Sequence, residues 1–245
     1  MSRLARTISE TGVYHIVFRG VNKQHIFEER RDYEKMLDII QMLKTEMNFK
    51  IYVYCFMSNH VHILLHEKNP GDISLIMKWL LTKYARWYNI KYQRSGALIA
   101  NRYKSQPVEI DEYFLSVVRY IHQNPLKAGM VERLDDYEWS SYVDYVDKAQ
   151  GITDKDFICD MLSPNEFVEF HKVVEEEIYV VDDKMKLTDE AIRRNIIKEF
   201  NIEPKLIMTF DRGTRDEYLR RLKEKYSIRQ IERITGISRG VIHKS

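Results

Sequence analysis

Cysteine is nearly absent from this 245-residue chain: there are two, Cys55 and Cys159, far apart in sequence. That excludes a disulfide scaffold and a zinc ribbon. Five prolines and nine glycines are too few for a collagen-like or low-complexity chain. No apolar run approaches the ~18 residues needed to cross a bilayer, so no membrane partner is expected. The first thirty residues hold no apolar stretch like the core of a secretory signal, which points to a cytoplasmic protein. Charge, by contrast, is plentiful. Asp, Glu, Lys and Arg make up 31% of the chain, beside 44% apolar residues, enough to enclose one large core or two ordinary ones.

The net charge of +2 conceals three regions. Residues 1–149 carry 21 basic against 18 acidic side chains, residues 150–190 carry 4 against 12, and residues 191–245 carry 14 against 7. Such asymmetry suggests two working modules joined by an acidic stretch, the second module basic enough to approach nucleic acid. The division expected is a first domain over 1–148, an acidic, partly helical connector over 149–186, and a helical domain over 187–245.

Hydrophobic periodicity fills in the first domain. Val13–Phe18, Lys50–Met57 and Val61–His66 are rich in β-branched and aromatic residues and read as strands, the last two joined at Ser58-Asn59. Apolar residues at helical spacing mark a helix from Arg31 to Met47, a second opening at Asp72, and a third opening at Asp111. Pro125 should stop the third near Asn124. Gly96 to Val108 looks extended or looped. On the second helix Trp79, Tyr84 and Trp87 recur at core spacing. The order β-α-β-β-α-β-α predicts an α+β domain of ferredoxin-like type, an antiparallel sheet with helices on one face. Pro164 can start a further helix in the connector, which also holds the run Glu175-Glu176-Glu177.

The chemistry-bearing residues lie in two places. In Ser58-Asn59-His60-Val61-His62, strand alternation points His60 and His62 the same way while Val61 faces the core. Two imidazoles on one face can share a divalent ion if a third ligand comes from elsewhere. By themselves they describe two half-exposed strand histidines better than a metal site, and their softness suits zinc as much as magnesium. In Arg119-Tyr120-Ile121-His122-Gln123-Asn124-Pro125, Tyr120 and Asn124 stand at i and i+4 on one helix face. His122, two positions from Tyr120, should face elsewhere. His15 has open readings: lining the site or touching DNA on one side, serving structure on the other.

Taken together and in order, Ser58-Asn59-His60-Val61-His62, Asn101-Arg102-Tyr103-Lys104-Ser105 and Tyr120 to Val131 (Tyr-Ile-His-Gln-Asn-Pro-Leu-Lys-Ala-Gly-Met-Val) resemble the REP-associated tyrosine transposases. These are single-tyrosine members of the His-hydrophobic-His single-strand endonucleases. The match covers about residues 10–145, with Tyr14-His15 and Arg19-Gly20-Val21-Asn22 near its start and Trp139-Ser140-Ser141-Tyr142 near its end. The resemblance implies that Tyr120 is the nucleophile, that His60, His62 and Asn124 are metal ligands, and that the metal is Mg²⁺ or Mn²⁺. Relatives carry a bulky aromatic before the Arg-Tyr-Lys-Ser stretch where this chain has Leu98-Ile99-Ala100. Arg102, Tyr103 and Lys104 interleave charge and aromatic character, as single-strand contacts do.

Near the end, Tyr226 to Ile242 has a helix-turn-helix pattern: Ser227 and Ser238 as caps, Ile231 inward, Gly236 at the turn. Arg239 and His243 would approach a DNA groove. Upstream, Leu187 to Tyr218 resembles the helical DNA-binding domain of the bacterial replication initiator. The expectation is a metal-dependent endonuclease and strand transferase acting on hairpin-bearing single-stranded DNA through a 5′-phosphotyrosine, with duplex DNA as a second partner of the helical domain. A non-catalytic DNA-binding regulator and a zinc hydrolase are the competing readings. Monomer and homodimer both remain open.

Overall fold

A computed structural model describes residues 8–109, 111–146, 151–173, 189–226 and 228–245. The chain divides into two compact units, Met1–Val181 and Asp182–Ser245. Among the described residues, no helix is long and apolar enough to cross a membrane.

The first unit is built on a four-stranded antiparallel sheet of β1 (Val13–Arg19), β2 (Lys50–Met57), β3 (His60–His66) and β4 (Lys104–Pro107), in the order β2-β3-β1-β4. One face carries Tyr14, Ile16, Phe18, Tyr54, Phe56, Val61, Ile63 and Leu65. They pack under α1 (Arg30–Met47) and α2 (Asp72–Lys91). Buried Asp32 joins the two helices: its carboxylate accepts from the backbone N–H groups of Glu28 and Glu29 at the start of α1, from Lys91, and from the Tyr92 hydroxyl. Glu67 does the same at the start of α2, accepting from Gly71 and Ile73 N–H and from Tyr14 Oη.

The α+β class is as the sequence predicts, but the helices are not confined to one face. Val13, Val53, Cys55, Met57 and Leu64 on the other face form a second core with α3 (Asp111–Lys127), α4 (Tyr142–Val146), α5 (Asp156–Met161) and α6 (Pro164–Lys172). The reason is visible in the strands. β2 is apolar at every position but Lys50, the composition of a strand covered on both sides. Ile158 of α5 and Phe167 of α6 are buried in this second core, so residues 156–172, expected in a connector, pack as part of the first unit. Pro164 does start a helix, behind a Ser163–Glu166 capping box. The acidic run Glu175–Glu177 lies outside the described residues.

Pro125 does not end its helix, because α3 runs on to Lys127. The proline cannot donate to Ile121 O, and Asn124 supplies a substitute: its Nδ2 donates to Tyr120 O (2.8 Å) and Ile121 O (3.3 Å). The outer edge of β2 is also closed. Phe56 N donates to Trp139 O, Ser141 N to Tyr54 O, and Asp154 N to Ile51 O, so the chain covers its own strand edge. Of the aromatic residues on α2, Tyr84 is core and Trp87 half-buried, but Trp79 is 42% exposed.

The second unit is all-α, with α7 (Asp189–Phe200), α8 (Arg212–Lys225), α9 (Ile228–Thr235) and α10 (Arg239–Lys244) around Ile192, Ile196, Leu219, Leu222, Ile231 and Ile242. Gly236, at φ +75°, makes the turn between α9 and α10. Ser238 stands at the N-cap of α10, its carbonyl accepting from Val241 and Ile242 N–H. Ser227 lies outside the described residues.

Candidate active site

The site forms on the sheet face covered by α3. Cross-strand register places Arg19 beside His60 and Val17 beside His62, so the alternation that sends Val61 and Ile63 under α1 and α2 brings His60 and His62 to the opposite face. Their ring centroids are 5.1 Å apart. His60 is half-buried and His62 is buried. Tyr120 of α3 is buried above them, its ring meeting His62 edge-on at 5.7 Å. Asn124 follows one turn later. Its amide nitrogen is committed to backbone carbonyls, which leaves Oδ1 as the end able to serve a cation.

Each histidine has one ring nitrogen already engaged. His60 Nδ1 lies 2.6 Å from Asn59 Oδ1, and His62 Nδ1 lies 3.1 Å from His15 Nε2. With Nδ1 held by a neighbour, Nε2 is the nitrogen left to bind a metal. Burial drives all three imidazoles toward the neutral form: His15 falls to about 3, His60 to about 4, and His62 well below the ordinary 6.5. Neutral imidazole is the form that ligates. Burial also raises the Tyr120 phenol above its ordinary 10, with Arg19 opposing. It is therefore protonated at neutral pH.

The donor set tests whether a divalent ion fits. Among the described residues, no group of three His, Cys, Asp or Glu side chains could hold a metal. A three-donor site here needs two imidazoles and the Asn124 amide oxygen. That mixed nitrogen and oxygen set suits a six-coordinate divalent ion better than the thiolate-rich cage of structural zinc.

Three residues beyond the motifs' assigned roles also belong to this environment. Arg19 sits beside His60 in the sheet and acts electrostatically on His60, His62 and Tyr120. Strand alternation from His15 places it on this face. Lys127 Nζ lies 4.9 Å from the Tyr120 ring centroid, at i+7 on the same helix stripe. His15 lies among these residues: it is fully buried, bonded to His62, with its ring 5.9 Å from that of Tyr120.

The remaining expectations divide. His122 faces away, as its spacing requires. Its Nδ1 meets His171 Nε2 and its Nε2 meets Ser141 Oγ, both at 2.9 Å, in the second core. Arg102 is exposed, and Lys104 pairs with Val17 in register, which puts it on the face of His62. Tyr103 is not a DNA-stacking residue. It is buried in the first core with its hydroxyl toward Ile73 O, because strand alternation turns it away from Lys104. In the second unit Arg239 is ion-paired to Glu232 (3.0 Å) and His243 is exposed.

A half-buried sheet face thus presents His-x-His to a tyrosine on the covering helix, the arrangement that the resemblance implies. The comparisons agree. Residues 9–124 match the family described as IS200-like transposases. The chain is similar to a curated Haemophilus influenzae protein described as a REP-associated tyrosine transposase, 22% identical over 155 residues, covering 58% of this chain and 86% of the relative. Its fold is similar to the solved structure of a REP-associated tyrosine transposase bound to a REP hairpin, with a TM-score of 0.51 and 18% identity over 64% of this chain and 96% of that one. The comparisons thus point to a tyrosine transposase, an enzyme that processes DNA.

Proposed function

We propose that the chain cuts and rejoins single-stranded DNA beside a hairpin, using Tyr120 as nucleophile and Mg²⁺ or Mn²⁺ held by His60, His62 and Asn124. The observation that carries this reading is the meeting of Tyr120 with His62 across the sheet–helix interface. When bound, the ion would act as a Lewis acid on the scissile phosphate and fix its orientation. Tyr120 Oη forms a bond to phosphorus as the bond to the 3′ oxygen breaks, leaving a 5′-phosphotyrosine and a 3′ hydroxyl that receives the phenolic proton through solvent. The ester stores the bond for rejoining. Arg19 adds positive charge where the phosphate and the phenolate develop charge. His15 sets the tautomer of His62 by accepting from its Nδ1–H, and Asn59 does so for His60.

Arg102 and Lys104 contact the strand at the open β4 edge. The second unit supplies a duplex contact through α10, with His243 outward and Arg239 released from Glu232 on binding. The β2 edge is covered and the β4 edge open, so both a monomer and a homodimer fit the sheet. The test is covalent trapping. End-labelled hairpin single strands are mixed with protein and Mn²⁺, denatured and resolved on a gel. A labelled protein band is expected for the wild type and absent for Tyr120→Phe. A band that survives in Tyr120→Phe would refute the assignment, and no band with DNA binding intact would support a regulator.

A further inference from the structure

The outward face of α2 has no role in the site, yet its composition is one-sided. From Ser74 to Ile90 it holds Lys78, Lys83 and Arg86 and no acidic residue. Leu75, Trp79, Lys83, Arg86 and Ile90 follow one another at three- and four-residue steps, a single stripe along about 22 Å of helix. Trp79 is 42% exposed, and Leu75 and Ile90 flank it exposed at either end. Lys78 Nζ lies 5.7 Å and Lys83 Nζ 5.8 Å from the Trp79 ring centroid. Among the described residues, none of the three cations takes part in an ion pair. A unit with 23 basic against 26 acidic side chains thus gathers an open indole and three unpaired cations on one helix.

Topology connects this stripe to the catalytic face. β4 is the open edge of the sheet. Lys104 on it shares the face of His62, while the adjacent Tyr103 turns under α2 with its hydroxyl toward Ile73 O. Exposed Arg102 stands between them. A strand leaving the site over this edge meets Lys104, then Arg102, then the first turns of α2.

We infer that the outer face of α2 is a second contact for single-stranded DNA, holding the strand that flanks the hairpin, with a base stacked on Trp79 and phosphates against Lys78, Lys83 and Arg86. Indole stacking is indifferent to base identity, and cations alongside neutralise the backbone. A second copy of the chain fits this face poorly, since a two-fold contact would set lysines against lysines. The inference rests on the DNA-processing reading, and the experiment separates the two.

Full-length protein in EDTA, which prevents cleavage, is titrated into a labelled DNA hairpin and into the same hairpin with a tail of about 15 thymidines, a length within single-strand site sizes. Fluorescence anisotropy reads both. The wild type should bind the tailed form about tenfold more tightly. Trp79→Ala should lose that advantage and bind the bare hairpin as the wild type does, and Trp79→Phe should keep most of it. Lys78→Ala with Lys83→Ala should flatten the tail's log–log salt dependence by about 1.4. If Trp79→Ala keeps the tail preference, the α2 contact is refuted and the catalytic reading stands. If the wild type binds neither oligonucleotide, the DNA reading falls and the contact with it. If sedimentation shows self-association that Trp79→Ala abolishes, the face belongs to a second copy and the inference is overturned.

Discussion

Replacing His15 separates a role in the site from a role in the core. For His62 to offer Nε2 to a metal, its Nδ1 must carry the proton and donate to His15 Nε2, 3.1 Å away. A neutral His15 then holds its own proton on Nδ1, which is buried with no hydrogen-bond partner. Such an orphan costs about 1–3 kcal/mol. Leucine has a similar volume and removes that orphan, but leaves His62 Nδ1 unpartnered in its place. The two terms are of the same size and opposite sign, so His15→Leu should change unfolding stability by no more than about 1 kcal/mol. Loss of a group that orients a ligating imidazole typically weakens metal binding by about 10–100-fold. Mn²⁺ affinity, read from the electron paramagnetic resonance signal of the free ion, should fall by that factor while the melting temperature holds nearly still. Gln at position 15 can still accept from His62 and should recover much of the affinity. If His15→Leu binds Mn²⁺ as tightly as the wild type, or loses affinity only in proportion to lost stability, His15 is a core residue and the tautomer argument fails.

Other perturbations bear on separate parts of the molecule. Asn124→Ala removes both the proposed oxygen ligand and the substitute for the missing Pro125 donor, so it should lower Mn²⁺ affinity and cost about 1 kcal/mol of stability, measured by titration and urea unfolding. His122→Leu leaves His171 Nε2 unpartnered, while Ser141 Oγ keeps its bonds to the Tyr54 backbone, and should cost about 1–3 kcal/mol, with covalent trapping per folded molecule unchanged. His171, held neutral by burial with its folded value at about 4, binds fewer protons folded than unfolded between that value and 6.5. Its contribution is therefore complete above pH 6.5 and is lost as pH falls toward 4, about 2 kcal/mol between pH 6.5 and pH 5; unfolding at several pH values should show this slope, and His171→Gln should flatten it. Tyr103→Ala should cost about 3 kcal/mol of stability, whereas Arg102→Ala should leave the melting temperature alone and weaken only DNA binding.

How much of this was legible in the sequence depended on whether a local rule was in control. Strand alternation put His60 and His62 together and placed His122 away from Tyr120, because a strand's period and a helix's period leave little freedom. The same alternation would have turned Tyr103 away from Lys104, had the segment been taken for a regular strand when it looked extended or looped. The expectation of helices on one face fails because the order of elements says which helix follows which strand and not which face it crosses; the nearly continuous apolar run of β2 is the signal for two covered faces. Pro125 was misread because the rule for proline assumes an unserved carbonyl, and Asn124 serves it. The His15–His62 contact was out of reach, since it depends on a diagonal between β1 and β3 that only the register supplies.

These elements divide labour across a single sheet. On the face under α1 and α2, apolar side chains pack continuously and polar atoms appear at the rim, in Asp32 and Glu67, where helix ends need partners. On the face under α3, the sheet gives up apolar packing at His15, Arg19, His60 and His62, and burial keeps the histidines uncharged. A site placed there costs stability, with one His15 nitrogen left unpartnered. The first face can bear that cost because its core is independent of the site, and α3, anchored by Val117, Val118 and Ile121 in the second core, brings Tyr120 over the histidines. Loosening α3 from its core, as by Val118→Ala, should therefore impair phosphotyrosine formation more than hairpin binding, although Val118 touches neither DNA nor metal. Equal losses in the two assays would mean that the helix positions nothing and that Tyr120 finds its target by motion.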